Sequence, residues 1–292
     1  LDVVRLTGGE PFLREDLAAI AEAVLRASNP NVIHITTNGS FPDRVEDFVR
    51  TFSQPQRLRF MVSIDGMEAE HDRNRGSDVS FKSAMQCVRR LAALRASTGL
   101  KVSVNHTVIS PQSLADNAPL RRRLAKWNVD VHSVLAYADT AMYGAKLRGR
   151  KAEHLIVPRG YPLHPALVGA DVQRFVECEL RRAERLRDPL LRVGKRYYLR
   201  GLRARLAGAA EPRPRPRCVA LRSHLRLLPD GSVPVCQFNT QIVGNLLTDS
   251  FEAVWRGAAA REHRAWVDDC PGCWAECEVM PNAIYTGDIF RA

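Results

Sequence analysis

Five of the seven cysteines in this 292-residue chain fall after residue 217, at positions 218, 236, 270, 273 and 277. Clustering of this kind marks a set of ligands rather than scattered buried thiols. Cys218 and Cys236 bracket a turn in the pattern Cys218-x12-Gly231-x4-Cys236, and Cys270-Pro-Gly-Cys273-Trp-Ala-Glu-Cys277 follows. Two thiolates beside a hairpin, with a CxxC turn that aims both sulfurs at one centre, complete a four-coordinate thiolate site for a cluster or for zinc. Cys218, Cys236, Cys270 and Cys273 form that set, with Cys277 as an alternative fourth ligand or a free thiol. The odd cysteine count and the lack of a signal-peptide pattern in these residues argue against a disulfide framework and predict a cytoplasmic protein.

A second group of residues sits near the start of the chain. Gly8-Gly9-Glu10, Asn38-Gly39 and the pair Ser63 and Asp65 each follow a short β-branched run. In α/β folds, ligands collect at the carboxyl ends of parallel strands. Adjacent glycines let backbone groups approach a small ligand, and a neighbouring carboxylate suits an ammonium group. Each is an ordinary turn by itself; their conjunction suggests a site.

The elements that must position these residues repeat one plan. Strands are expected at Val3–Thr7, Val32–Thr36, Arg59–Ile64, Lys101–Val108 and Val129–Ala136. Helices are expected at 16–27, 43–52, from Ser80 onward and at 114–127, with a loop after Asp65-Gly66. Such βα units read as part of a barrel or a doubly wound sheet. The period is lost between about 138 and 170, helices resume at 171–187 and 196–206, and Pro212, Pro214 and Pro216 impose an extended linker. Beyond it, 224–228 and 233–235 are expected to pair as a hairpin, with a helix over 251–261. The domain reading is a barrel over 1–140, a variable helical segment and linker over 141–217, and a cysteine-rich α+β domain over 218–292.

Leu6-Thr-Gly-Gly-Glu-Pro-Phe-Leu-Arg14, Ile35-Thr-Thr-Asn-Gly39 and Val62-Ser-Ile-Asp-Gly66, followed by His71-Asp72 and Arg75-Gly76, resemble the radical SAM enzymes in order and spacing. The resemblance covers nearly all of residues 1–140. It implies an α/β fold, a partial (β/α)6 TIM-type barrel that binds S-adenosyl-L-methionine against a [4Fe-4S] cluster. By position, Gly8, Gly9 and Glu10 would meet the methionine amino group, Ser63 its polar part, Asn105 the ribose and Leu135, through its backbone or as an apolar contact, the adenine. The cysteine pattern of the C-terminal part, with Ile242-Val-Gly-Asn-Leu246 and Phe251-Glu-Ala-Val-Trp255 between its halves, resembles the SPASM and twitch extensions that hold auxiliary [4Fe-4S] clusters. Five cysteines imply one such cluster.

The family's CxxxCxxC, which follows its first strand, occurs nowhere in these residues, and Leu1 opens within a strand-like run. The expectation is a chain cut at its front, missing the first βα unit and inactive as it stands. The intact protein is expected to be an oxidoreductase or maturase that abstracts hydrogen from a peptide or small-molecule substrate. The resemblance implies an electron donor such as flavodoxin or ferredoxin. The rival readings are a non-catalytic, zinc-stabilised binding module derived from the barrel and a partner that uses an Arg-rich segment on an acidic leader peptide.

Charge and composition narrow the remaining classes. The formal net charge is +11, and residues 181–217 alone hold thirteen basic residues against three acids. No helical or zinc-finger nucleic-acid module is present, so nucleic acid is not an expected partner, and the Arg-rich segment reads as a solvated helix face. No apolar run reaches the roughly 20 residues of a membrane span, so no membrane is expected. Cys87 and Cys178 read as helix-packing residues, and His71-Asp72 as a loop hydrogen bond.

Overall fold

The computed structural model describes residues 1–136, 161–186 and 188–291. The chain divides into two compact units, residues 1–136 and 137–292. The first is an α/β unit whose strands β1 (Val3–Leu6), β2 (Val32–Thr37), β3 (Leu58–Ser63), β4 (Lys101–Val108) and β5 (Asp130–Leu135) form one parallel sheet in sequence order. The helices between them are α1 (Leu17–Ser28), α2 (Pro42–Thr51), α3 (Glu68–Arg75), α4 (Ser80–Thr98) and α5 (Pro111–Ala125).

Period-two alternation divides the sheet into two faces. Ile33, Ile35, Leu58, Phe60, Val62, Val102, Val104 and Val131 share one core with Ala21, Leu25, Val45, Phe48, Ala84, Val88, Leu91, Leu120 and Leu124 of the helices. The alternate residues, among them Met61, Ser63, Ser103, Asn105 and His132, are half-buried on the opposite face. Cys87 is fully buried in the core, as its helical spacing indicates, and burial pushes its thiol up to about 12.

α3 is absent from the sequence reading, which leaves a loop there. Seven of its eight residues are charged or polar, so it shows no apolar period. Its order comes from a Glu70–Arg73 ion pair one turn apart and from Gly76, whose φ of 65° supplies a left-handed C-cap. His71 and Asp72 serve the fold here. His71 Nδ1 accepts from the Asp65 N–H at 3.0 Å, and the Asp72 carboxylate accepts from Ser80 Oγ and the Phe81 N–H at the start of α4.

The second unit contains helices α6 (Gly169–Glu184) and α7 (Pro189–Leu206), a two-stranded antiparallel sheet of β6 (Ser232–Pro234) and β7 (Ile242–Asn245), and helices α8 (Phe251–Arg256), α9 (Ala258–Asp269) and α10 (Glu276–Tyr285). The aperiodic stretch expected over 138–160 lies outside the described residues. Two expectations are corrected. The partner of β6 is β7 rather than 224–228, which gives the sheet only turn contacts such as Leu228 N–H to Ser232 O at 2.9 Å. The expected helix over 251–261 is two helices broken at Gly257, where a Cβ would stand 2.5 Å from the Ala253 carbonyl oxygen.

Candidate cofactor and metal sites

In the first unit the candidate site lies at the carboxyl ends of β1 to β4. Gly8 has φ 150°, and a Cβ built on Gly8 or Gly9 meets no atom within 4 Å, so the turn after β1 faces open space. Gly39 differs: its φ is 76°, and a Cβ there would stand 2.7 Å from Ala84 Cα, so packing of the β2 end against α4 accounts for it.

Glu10 is 8% exposed, and its carboxylate is engaged within the chain. Oε1 accepts from the Phe12 N–H at 3.1 Å and from Thr37 Oγ1 at 2.8 Å, while Oε2 accepts from the Asn38 N–H at 2.6 Å. The side chain proposed from sequence to meet an ammonium group thus ties the turn after β1 to the end of β2. The open groups of the Gly-Gly-Glu run are the backbone of the two glycines.

Ser63 is in register with Asn105, and Asn105 with His132, so the three form a cross-strand row on the face opposite the core. Asn105 Nδ2 donates to Thr107 Oγ1 at 3.3 Å. Leu135 is placed differently. It falls with Val131 and Ser133 on the helix-packed face and is 4% exposed, so its side chain is on the opposite side of the sheet from Asn105. His132 is the residue of this row that the sequence reading missed; its place between apolar Val131 and Val134 was the available signal. Two residues beyond Ser63, the buried Asp65 pairs with the exposed Arg75 at 2.8 Å, and burial raises its carboxyl against the pull of the guanidinium.

In the second unit, four cysteines share one local geometry. Cys236 Sγ accepts the N–H groups of Phe238 and Asn239 at 3.4 and 3.2 Å. The backbone N–H groups of Ala220, Gly272 and Ala275, each two residues downstream, favour the charged form of Cys218, Cys270 and Cys273. Such donors stabilise a sulfur that carries negative charge, which is the form that ligates metal. Cys277 stands apart: it lies in the first turn of α10, and its Sγ contacts Gln237 Oε1 at 3.4 Å.

Burial pushes the metal-free thiols upward, Cys218 to about 11 and Cys236 to about 12, with Cys270 and Cys273 also raised. After burial, the neighbouring sulfurs contribute: Cys270 raises Cys218, Cys218 raises Cys236, and Cys277 and Cys236 raise Cys273. The thiols therefore lie within electrostatic reach of one another. Among the described residues, no three His, Cys, Asp or Glu converge closely enough for a single metal ion. A cubane holds its thiolates farther apart than one ion does, and the donor set, four half-buried sulfurs each favoured in its charged form by a backbone N–H, fits a cluster.

The framework around these cysteines is specific. Trp274, fully buried next to Cys273, donates its indole N–H to the Tyr198 carbonyl at 3.0 Å and stacks on the Tyr198 ring. A Cβ on Gly201 would fall 2.0 Å from the indole, so only glycine admits Trp274 against α7. The Arg205 guanidinium lies 3.6 Å over the same ring, Arg215 donates to the Pro271 carbonyl, and Arg217 pairs with Asp268 at 2.6 Å. The Arg-rich segment is thus only partly a solvated face, because three of its members brace the CxxC loop. Glu278, 2% exposed, accepts from Arg226 at 2.6 Å and faces His224 Nδ1 at 3.3 Å. Burial opposes the charge of Glu278, but these two partners overcome it and hold the carboxyl below its ordinary value.

A parallel α/β unit with an open glycine turn at its strand ends is thus joined in the chain to a unit in which four cysteines lie within electrostatic reach of one another. Residues 1–124 match the radical SAM superfamily and residues 218–278 match the SPASM iron–sulfur cluster-binding domain. Residues 1–124 thus form a radical SAM domain and residues 218–278 a SPASM domain, and the cofactors of these families are S-adenosylmethionine and [4Fe-4S] clusters.

Among curated relatives, GTP 3',8-cyclase of Aquifex aeolicus is 30% identical over 110 residues, which are 37% of this chain and 32% of that protein. GTP 3',8-cyclase of Synechocystis sp. is 28% identical over 131 residues, 45% of this chain and 38% of the relative. The chain thus spans little more than a third of the length of these relatives. A solved structure, hexahistidine-tagged anSMEcpe with bound AdoMet, superposes with a TM-score of 0.55 at 14% identity, covering 89% of this chain and 65% of that one. This likeness is one of fold.

Proposed function

We propose that the chain belongs to a radical SAM enzyme that abstracts hydrogen from a peptide or small-molecule substrate and holds one auxiliary [4Fe-4S] cluster. S-adenosylmethionine, when bound and reduced, supplies a 5′-deoxyadenosyl radical for that abstraction. The backbone of Gly8 and Gly9 receives the methionine end of the cofactor, and Ser63 and Asn105 orient its polar part from the face opposite the core. Glu10 acts as a positioning residue, because its carboxylate fixes the glycine turn to the end of β2. Cys218, Cys236, Cys270 and Cys273 hold the auxiliary cluster.

The observation that carries this reading is the open space at Gly8 and Gly9 beside a turn that is otherwise rigidly tied. These residues contain no CxxxCxxC, so cofactor cleavage needs a cysteine trio supplied from outside them. The names of the curated relatives offer GTP as one candidate substrate, and the geometry supports hydrogen abstraction without selecting it. An external electron donor such as a flavodoxin or ferredoxin and a cytoplasmic setting belong to the same proposal.

Cofactor binding tests it. Calorimetric titration of the full chain with S-adenosylmethionine should show binding that Gly8→Val and Gly9→Val each weaken by at least about tenfold, since the new side chains fill the space needed for the methionine end. Undiminished binding in both variants would remove the basis for placing the cofactor there.

A further inference from the structure

The buried face of α10 presents an amide to one of the four cysteines. Asn282 is 3% exposed and lies inside the helix, directly after Pro281. Asparagine is a poor helix former, and burying its amide costs free energy unless both ends find partners. The oxygen has one: Oδ1 accepts the Val219 N–H at 2.9 Å, across 63 residues of chain. Val219 follows Cys218, so α10 grips the backbone that carries this sulfur.

The stretch that Asn282 grips is a tight turn. The Val219 carbonyl accepts from the N–H groups of Arg222 and Ser223, both at 3.0 Å, and the Leu221 N–H donates to the His224 carbonyl at 2.9 Å. Leu221, 1% exposed, has φ 57°, a left-handed conformation that a leucine keeps only where its surroundings impose it. Arg264 Nε donates to the Leu221 carbonyl at 2.7 Å and closes the turn from α9. With Oδ1 committed to Val219, the NH2 group is the end left for the sulfur. Burial raises the Cys218 thiol, and the Ala220 N–H and the Asn282 side chain work against it by favouring the charged form, as a donor does and an amide oxygen would not. Cys236 also has two donors, the N–H groups of Phe238 and Asn239. Asn282 thus gives Cys218 a second donor, from a helix rather than from its own turn.

We propose that Asn282 is a positioning residue for the auxiliary cluster: it fixes Cys218 through the Val219 N–H and donates to the Cys218 sulfur, and so raises the reduction potential of the cluster. The inference rests on the reading that Cys218, Cys236, Cys270 and Cys273 hold iron and sulfide. Reduction adds one electron, breaks no bond and increases the negative charge on the sulfurs. A donor aimed at a ligand sulfur therefore stabilises the reduced form more than the oxidised one. A purely structural amide would need only the Val219 contact, and any acceptor at position 282 would then serve. The reduction potential separates the two roles.

The test is a redox titration of the anaerobically reconstituted full chain with dithionite at constant pH, the reduced cluster being followed by electron paramagnetic resonance. Asn282→Asp keeps an acceptor for the Val219 N–H and replaces the donor with an oxygen. It should load wild-type iron and sulfide, yet its equilibrium constant for reduction should fall at least about tenfold, a midpoint about 59 mV more negative for one electron. Asn282→Ala loses both contacts and should load less iron. The fraction that loads should also have a more negative midpoint, and it carries the test if Asn282→Asp fails to fold. Asn245→Asp makes the same charge change in the same unit, at a side chain that donates to the Asp230 carbonyl at 2.9 Å, and should leave the constant within about 1.5-fold. A loaded wild type whose midpoint the Asn282 variant shares would overturn the inference alone, as would an equal shift in Asn245→Asp. A wild type that takes up no iron would overturn the inference together with the cluster assignment.

Discussion

Glu10 shows how a residue type can mark a site while its partners within the chain stay hidden from the sequence. A carboxylate beside two glycines suits an ammonium group, yet this one is 8% exposed and accepts from two backbone N–H groups and a threonine hydroxyl. Hydrogen bonds to a charged group contribute about 1.5–3 kcal/mol each, and removing the acceptor leaves its donors unpaired. Glu10→Ala should therefore destabilise the first unit by about 2–4 kcal/mol in urea denaturation; a loss under about 0.5 kcal/mol would mean that the carboxylate does not hold the turn. The cysteines divide on a similar local criterion. Cys236 accepts two backbone N–H groups, and a backbone N–H two residues downstream favours the charged form of Cys218, Cys270 and Cys273, whereas Cys277 contacts a side-chain amide.

At the level of elements, the first unit was largely legible because its signals are redundant. β-branched strands alternate with apolar helix faces, and Lys101–Val108 is bounded in the structure as the alternation indicates. α3 was hidden because ion pairing and a left-handed glycine stabilise it without an apolar face. In the second unit the cysteine spacing located the candidate site, but the partner of β6 could not be read. Residues 224–228 and 242–245 are both short and mixed in polarity, and packing of Val243 and Val254 around Gly244 is a tertiary contact with no local trace. The same holds for Leu135, whose face of the sheet depends on a register that one residue inverts. Trp274 was visible only as a large residue inside the CxxC region; its fit against Gly201 and Arg205 joins positions some seventy residues apart.

At the level of the whole molecule, the two units respond to different solution variables. His34, His71 and His106 of the first unit are lowered to about 4, in each case chiefly by burial, and His71 and His106 each leave Nε2 without a partner. A histidine with a folded value near 4 and an unfolded value near 6.5 takes up its proton first in the unfolded chain. Stability is then flat above about pH 6.5 and falls as pH drops from 6.5 towards 4. The penalty is of order 2 kcal/mol per histidine at pH 5, read from urea midpoints at pH 7.5, 6 and 5. A midpoint independent of pH over that range would show that these rings are not held neutral by the fold. The second unit, by contrast, should respond to metal, because four thiols raised by burial must lose protons to ligate.

The claim on which the functional reading most depends is that Cys218, Cys236, Cys270 and Cys273 hold an iron–sulfur cluster. Iron and acid-labile sulfide should therefore be measured in the full chain after anaerobic reconstitution, beside Cys236→Ala and Cys87→Ala. The wild type should carry about four iron and about four sulfide per chain. Cys236→Ala should lose most of both, while Cys87→Ala, a change in the core of the first unit, should retain them. Iron content unaffected by Cys236→Ala, or stoichiometric zinc in place of iron and sulfide in the wild type, would contradict the account.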